Sequence, residues 1–121
     1  MLQLAGVAKL CAQHGVPHVI NNAYGVQSAP LRARIDCACR AGRVDAIVQS
    51  TDKNFMVPVG GSIVAAPARW PGVLQEMARR YPGRAAVAAH LDLAITLLHL
   101  GRQGWQRALQ EREELAEHLQ V

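Results

Sequence analysis

Leu2, Leu4, Ala5, Val7, Ala8, Leu10 and Cys11 fall on one wide helical face, and Gly15 follows as a stop. The period then changes. Residues 16–20, Val-Pro-His-Val-Ile, form a short apolar run with its proline near the start, as a buried strand tolerates. The run passes into a polar turn, Asn21-Asn22-Ala23-Tyr24-Gly25. Pro30 suits the first turn of a second helix, expected to about residue 41, with Gly42 ending it. Residues 44–49 read as a second buried strand and 62–66 as a third, with Lys53 in a loop between them. Beyond lie a short helix within 67–82, interrupted by Trp70-Pro71-Gly72, and a strongly apolar helix over 85–100 ended by Gly101. A charged amphipathic helix over 103–120 closes the chain, with Trp105, Leu109, Leu115 and Leu119 as its packing residues.

Strands alternating with helices predict an α/β fold with a mainly parallel sheet flanked by helices, and C-terminal helices after it. In such sheets ligands bind beyond the carboxyl ends of the strands. Both polar turns, 21–25 and 50–53, sit at such ends, so neighbouring strands aim them at one pocket.

The length of 121 residues is that of one domain, and half the residues are apolar, a globular composition. Net charge is +4, which favours anionic partners such as phosphates or RNA. Three cysteines, Cys11, Cys37 and Cys39, cannot all pair, and this reads as a reducing cytoplasmic setting. The most apolar run, 91–100, is too short to span a bilayer and carries Asp92 and His99. Neither a basic start nor a cleavage site marks a signal peptide. Met1 opens inside one helical pattern and the last residues stop inside another, so a segment of something longer is expected.

The thirteen basic residues are eleven arginines and only two lysines, Lys9 and Lys53. Lys53 follows Gln49-Ser50-Thr51-Asp52 and precedes Asn54-Phe55-Met56-Val57-Pro58-Val59-Gly60-Gly61. Apolar wrapping is expected to desolvate this amine partly, the condition for a nucleophile, Schiff-base former or general base. Hydroxyls before it suit an anion, and glycines after it allow close backbone approach to a ligand. A snorkelling loop lysine fits the same residues.

Other candidates have weaker patterns. Cys37 and Cys39 are two apart on a helix, about 200° around it, and no second ligand pair follows, so no metal is expected. His14 and His18 have Gly15 and Pro17 between them, and His90 and His99 share an apolar helix as packing or boundary residues. Arg32, Arg34, Arg79 and Arg80 could touch nucleic acid, but exposed helix faces carry such charges routinely. The charge run 107–117 reads as a solvated face, and Asp45 and Asp52 as turn formers.

A strand ending in a polar residue with Ala-aromatic-Gly, then a helix, then a strand ending in Ser-x-x-Lys and a glycine pair, resembles the aspartate-aminotransferase-like (fold type I) pyridoxal phosphate enzymes. Four stretches narrow the resemblance: residues 21–28, Asn-Asn-Ala-Tyr-Gly-Val-Gln-Ser; 40–45, Arg-Ala-Gly-Arg-Val-Asp; 49–61, including Asp-Lys-Asn-Phe-Met-Val-Pro-Val-Gly-Gly; and 81–84, Tyr-Pro-Gly-Arg. Together they are similar to O-phosphoseryl-tRNA(Sec) selenium transferase, the selenocysteine synthase of archaea and eukaryotes.

The resemblance implies that residues 1–121 are part of the large, cofactor-binding domain, with the N-terminal part and the C-terminal small domain absent. It implies conversion of phosphoseryl-tRNA(Sec) to selenocysteinyl-tRNA(Sec) with selenophosphate, by elimination of phosphate and addition of selenium, in a cytoplasmic homo-oligomer, a tetramer. Lys53 would hold pyridoxal 5'-phosphate and act as acid/base at the substrate α-carbon. Asn21, Ser50 and Tyr24 would line the cofactor site, Arg84 would hold the substrate phosphate, and Arg40 would contact tRNA. Asn21 stands where related enzymes usually carry an aspartate against the pyridine nitrogen. Two other readings stay open: a lyase or desulfurase of the same fold, and a basic RNA-binding fragment without activity. The isolated segment is expected to be weakly folded and inactive, because absent parts would cover its strand edges and apolar faces.

Overall fold

Ala8 and Ala38 are fully buried, and their small side chains sit where two helices meet. The computed structural model describes residues 3–84 and 86–119; the expected helix positions Leu2, Ala85 and Gln120 lie outside them. Helix α1 (Leu4–Gln13) and helix α2 (Ala29–Ala41) pack through these alanines, with Leu4, Ile35 and Cys39 at the margin. The Ser28 side chain accepts from the Leu31 amide and caps α2, and Pro30 lies in its first turn, where a missing N–H costs nothing.

Strands β1 (Val19–Asn21) and β2 (Ala46–Ser50) are parallel, with Ile20 opposite Ile47 and Asn21 opposite Val48. The α2 crossover between them is the length a parallel pair requires. Ile20 and the fully buried Val44 close the core against the alanines.

Strand β3 (Ser62–Ala65) runs antiparallel to β2, starting at Ser62 opposite Ser50. The sheet is therefore mixed, with order β1-β2-β3, where the sequence predicts a mainly parallel one. The reason lies in the connection. Residues 51–61 hold a single helical turn, α3 (Thr51–Asn54), so the chain doubles back and re-enters the sheet at the end it left. Lys53 consequently sits on a helical turn and not in a loop.

Helix α4 (Val73–Arg80) starts only after Trp70-Pro71-Gly72. Helix α5 (Val87–His118) is broken at Gly101, whose φ of 60° and ψ of −178° belong to neither half. The two expected C-terminal helices are these halves. Along the first, Val87, Leu91, Ile95 and Leu98 leave an exposed apolar stripe. The second returns to the sheet: Trp105 stacks on Phe55, and Glu113 accepts from the Ala29 amide at the N-terminus of α2.

Candidate functional site

The carboxyl ends of β1 and β2 carry the two polar segments, and side-chain amides sew them together. Asn22 donates to the Gln49 side chain at 3.2 Å. Asn54, only 3% exposed, donates to the carbonyls of Ala23 and Ser50, each at 2.7 Å, and accepts from the Val26 amide at 3.2 Å. Gln27 donates to the Lys53 carbonyl. The loop after β1 is thereby fixed against the turn after β2.

Lys53 projects from that turn with 34% of its side chain exposed. Its ammonium lies 3.2 Å from an Asp52 carboxylate oxygen and 5.7 Å from the centre of the Tyr24 ring. The amine lies toward Asp52 and Tyr24, and the apolar residues that follow it differ in burial. Val57 is buried, but Met56 and Val59 are exposed. Asp52, expected only as a turn former, is thus the counter-charge of Lys53.

Asn21 and Tyr24 line a cavity of about 470 Å³ bounded by the loop, α1 and α2. Lys53 stands outside that lining and reaches the same loop through the Tyr24 ring. Ser50 precedes α3 and gives its carbonyl to Asn54. Thr51 next to it is buried, and its hydroxyl has no partner among the described residues. The structure brings Lys53, Tyr24, Ser50 and Asn21 to one end of the sheet.

The two arginines lie on other segments. Arg84 is exposed between α4 and α5. Arg40 is exposed on α2 and pairs with Asp36 one helical turn away. A larger apolar hollow, about 620 Å³ along Trp70 and α4, is lined by none of the expected site residues.

Asp45 belongs to the opposite end of β2. Arg43 grips its carboxylate at 2.8 Å and the His18 amide donates to it, also at 2.8 Å. The Arg43 guanidinium holds the Asp45 carboxyl below its ordinary range, with the His18 amide adding to the effect and burial opposing it. Burial pushes the Cys39 thiol up, with Arg69 opposing. Among the described residues no group of three His, Cys, Asp or Glu side chains is placed to hold a metal, and no helix is long and apolar enough to cross a membrane.

Sequence reasoning missed Asn54, Gln27 and the pairing role of Asp52. The available signal was a polar residue set directly against an apolar run, Asn54 before Phe55-Met56-Val57.

Residues 3–121 match the family model described as O-phosphoseryl-tRNA(Sec) selenium transferase. Among curated relatives, the enzyme of that name from Dictyostelium discoideum is 49% identical over 109 residues, 90% of this chain and 22% of the relative. That from Methanopyrus kandleri is 46% identical over 111 residues, 92% of this chain and 25% of the relative. The crystal structure of an archaeal O-phosphoseryl-tRNA(Sec) selenium transferase superposes with a TM-score of 0.82 at 30% identity, over 93% of this chain and 25% of that one. The chain thus spans about a quarter of the length of these relatives.

Proposed function

The chain belongs to the O-phosphoseryl-tRNA(Sec) selenium transferase family, and from that premise we propose that it supplies the cofactor lysine for converting O-phosphoseryl-tRNA(Sec) to selenocysteinyl-tRNA(Sec). The observation that carries this reading is the Lys53 ammonium at the mouth of the sheet, 5.7 Å from the Tyr24 ring and gripped through its own backbone by Gln27.

The residues present fit pyridoxal 5'-phosphate. Lys53 offers the amine that condenses with its aldehyde, and the Tyr24 ring an apolar face. Asn21 offers a neutral amide for the pyridine edge, and the Ser50 hydroxyl a polar contact. When bound, the cofactor supplies a conjugated ring that delocalises the charge left by removal of the substrate's α-proton. Lys53 moves that proton, and the Asp52 carboxylate lies 3.2 Å from its nitrogen.

Arg84 presents a planar fork matched to the phosphate that leaves phosphoserine. Arg40, exposed on α2, contacts the tRNA backbone. Phosphate is a good leaving group, so a neutral Asn21 suffices where a stronger electron sink would need a carboxylate. Selenophosphate is the selenium donor, and the working protein is a cytoplasmic homo-oligomer. The exposed stripe of Val87, Leu91, Ile95 and Leu98 marks a face that this larger assembly covers.

Incubation with pyridoxal phosphate, borohydride reduction and peptide mapping tests the reading. Label on Lys53 in clear excess over Lys9 is the expected result, and label shared evenly between the two removes Lys53 from the site.

A further inference from the structure

Asn54 has no place in the chemistry just described, yet it is among the most buried polar residues, at 3% exposure, one position after the cofactor lysine. Its amide uses both faces. The nitrogen donates to Ala23 and Ser50 at 2.7 Å, and the oxygen accepts from Val26 at 3.2 Å. Ala23 and Val26 bracket Tyr24 in the loop after β1, while Ser50 ends β2. One side chain thus ties the segment carrying the aromatic ring to the turn carrying the amine. Tyr24 itself is 66% exposed, so its position depends largely on the backbone that carries it.

We infer that Asn54 is a positioning residue, which sets the Tyr24 loop against the Lys53 turn so that the amine meets its carbonyl partner in one fixed orientation. The inference rests on the proposed role of Lys53. Its physical basis is separate. Removing this buried amide takes a hydrogen-bond partner from three backbone groups at once, so the loop and turn part before the core at the α1–α2 end is disturbed. Asp52 stays with Lys53 on the same turn, and only the relation to Tyr24 is lost.

The test uses the full chain and three variants. Asn54→Ala removes all three bonds. Asn54→Asp keeps the acceptor for Val26 and loses both donated bonds. Val44→Ala weakens the core at the far end and serves as the control for stability alone. Capture of pyridoxal phosphate at Lys53 relative to Lys9 is expected to fall about tenfold in both Asn54 variants, the worth of one or two hydrogen bonds, and to hold in Val44→Ala.

A cofactor-free readout accompanies it. Labelling by a small amine reagent shows Lys53 becoming as reactive as Lys9 in Asn54→Ala, and hydrogen exchange shows the Val26 amide losing protection. If the parent chain shows no preference for Lys53 in cofactor capture, the functional reading fails, and the clamp is judged on these two measurements. Unchanged Lys53 reactivity in Asn54→Ala and Asn54→Asp, or an equal loss in Val44→Ala, overturns the positioning role.

Discussion

The ring of Phe55 lies on that of Trp105 with centroids 5.3 Å apart and planes 19° from parallel. Phe55 is the residue that ends the lysine turn, and Trp105 belongs to the second half of α5. A helix late in the chain therefore buttresses the turn from which the amine projects. Replacing Trp105 by alanine removes an offset-stacked pair and its half-buried area. The expected loss is about 1–3 kcal/mol, below that of a fully buried tryptophan. Denaturant unfolding followed by far-ultraviolet circular dichroism checks it, and a loss within error would show that the stack holds nothing.

Thr51 and Gly61 make a second close approach. A Cβ on Gly61 would stand 2.6 Å from the Thr51 hydroxyl and 3.2 Å from Ala89. Gly61→Ala forces Thr51 to move at the first position of α3, for an expected loss of about 1–3 kcal/mol. The Thr51 hydroxyl is buried with no partner among the described residues, so Thr51→Val is expected to be neutral or slightly stabilising. A double-mutant cycle through Thr51→Ala and Gly61→Ala is the check: the alanine at 51 should return most of what the alanine at 61 takes away.

The site is partly legible in the sequence. Pro30, Gly42 and the change of period bound the β1-α2-β2 unit, so the two polar turns fall at strand ends by pattern alone. Direction and local turns were not legible. The antiparallel β3 follows from how the 51–61 connection folds back, and a four-residue helix is too short for periodicity to mark. Asn54 escaped notice because its partners Ala23 and Val26 lie 31 and 28 positions earlier, and sequence neighbours do not reveal them. Asp52 looked like a turn former because its role depends on which way the turn rotates Lys53.

At the other end of β2, acid should undo the Arg43–Asp45 pair. The Asp45 carboxyl is held below its ordinary value of 3.8, so the unfolded chain takes up the proton first as pH falls. The stabilisation is present above about pH 4 and disappears as pH drops through the folded-state value. Asp45→Asn is expected to lower the melting temperature by about 5 °C at neutral pH, with the gap closing below about pH 4. Thermal melts of both proteins across that range decide it; a gap independent of pH would mean that shape and not charge matters there.

Gly101 has φ 60° and ψ −178°, a backbone region essentially reserved for glycine. An alanine there costs about 1–3 kcal/mol if the break is kept. It can also relax by continuing the helix straight, which regains backbone hydrogen bonds but swings the second half of α5 away from Phe55 and Ala29. The two responses differ in a measurable way. If the break persists, the Trp105 fluorescence in Gly101→Ala keeps its parent spectrum while stability falls. If the helix straightens, helical content rises, the Trp105 emission shifts red, and the Glu113 contact at the start of α2 is lost. Straightening is the expected outcome, because no residue of this helix half is fully buried and its named ties are one stacked pair and one side-chain hydrogen bond. A parent-like Trp105 spectrum with unchanged melting would show that the break is set by the surrounding packing and not by the glycine.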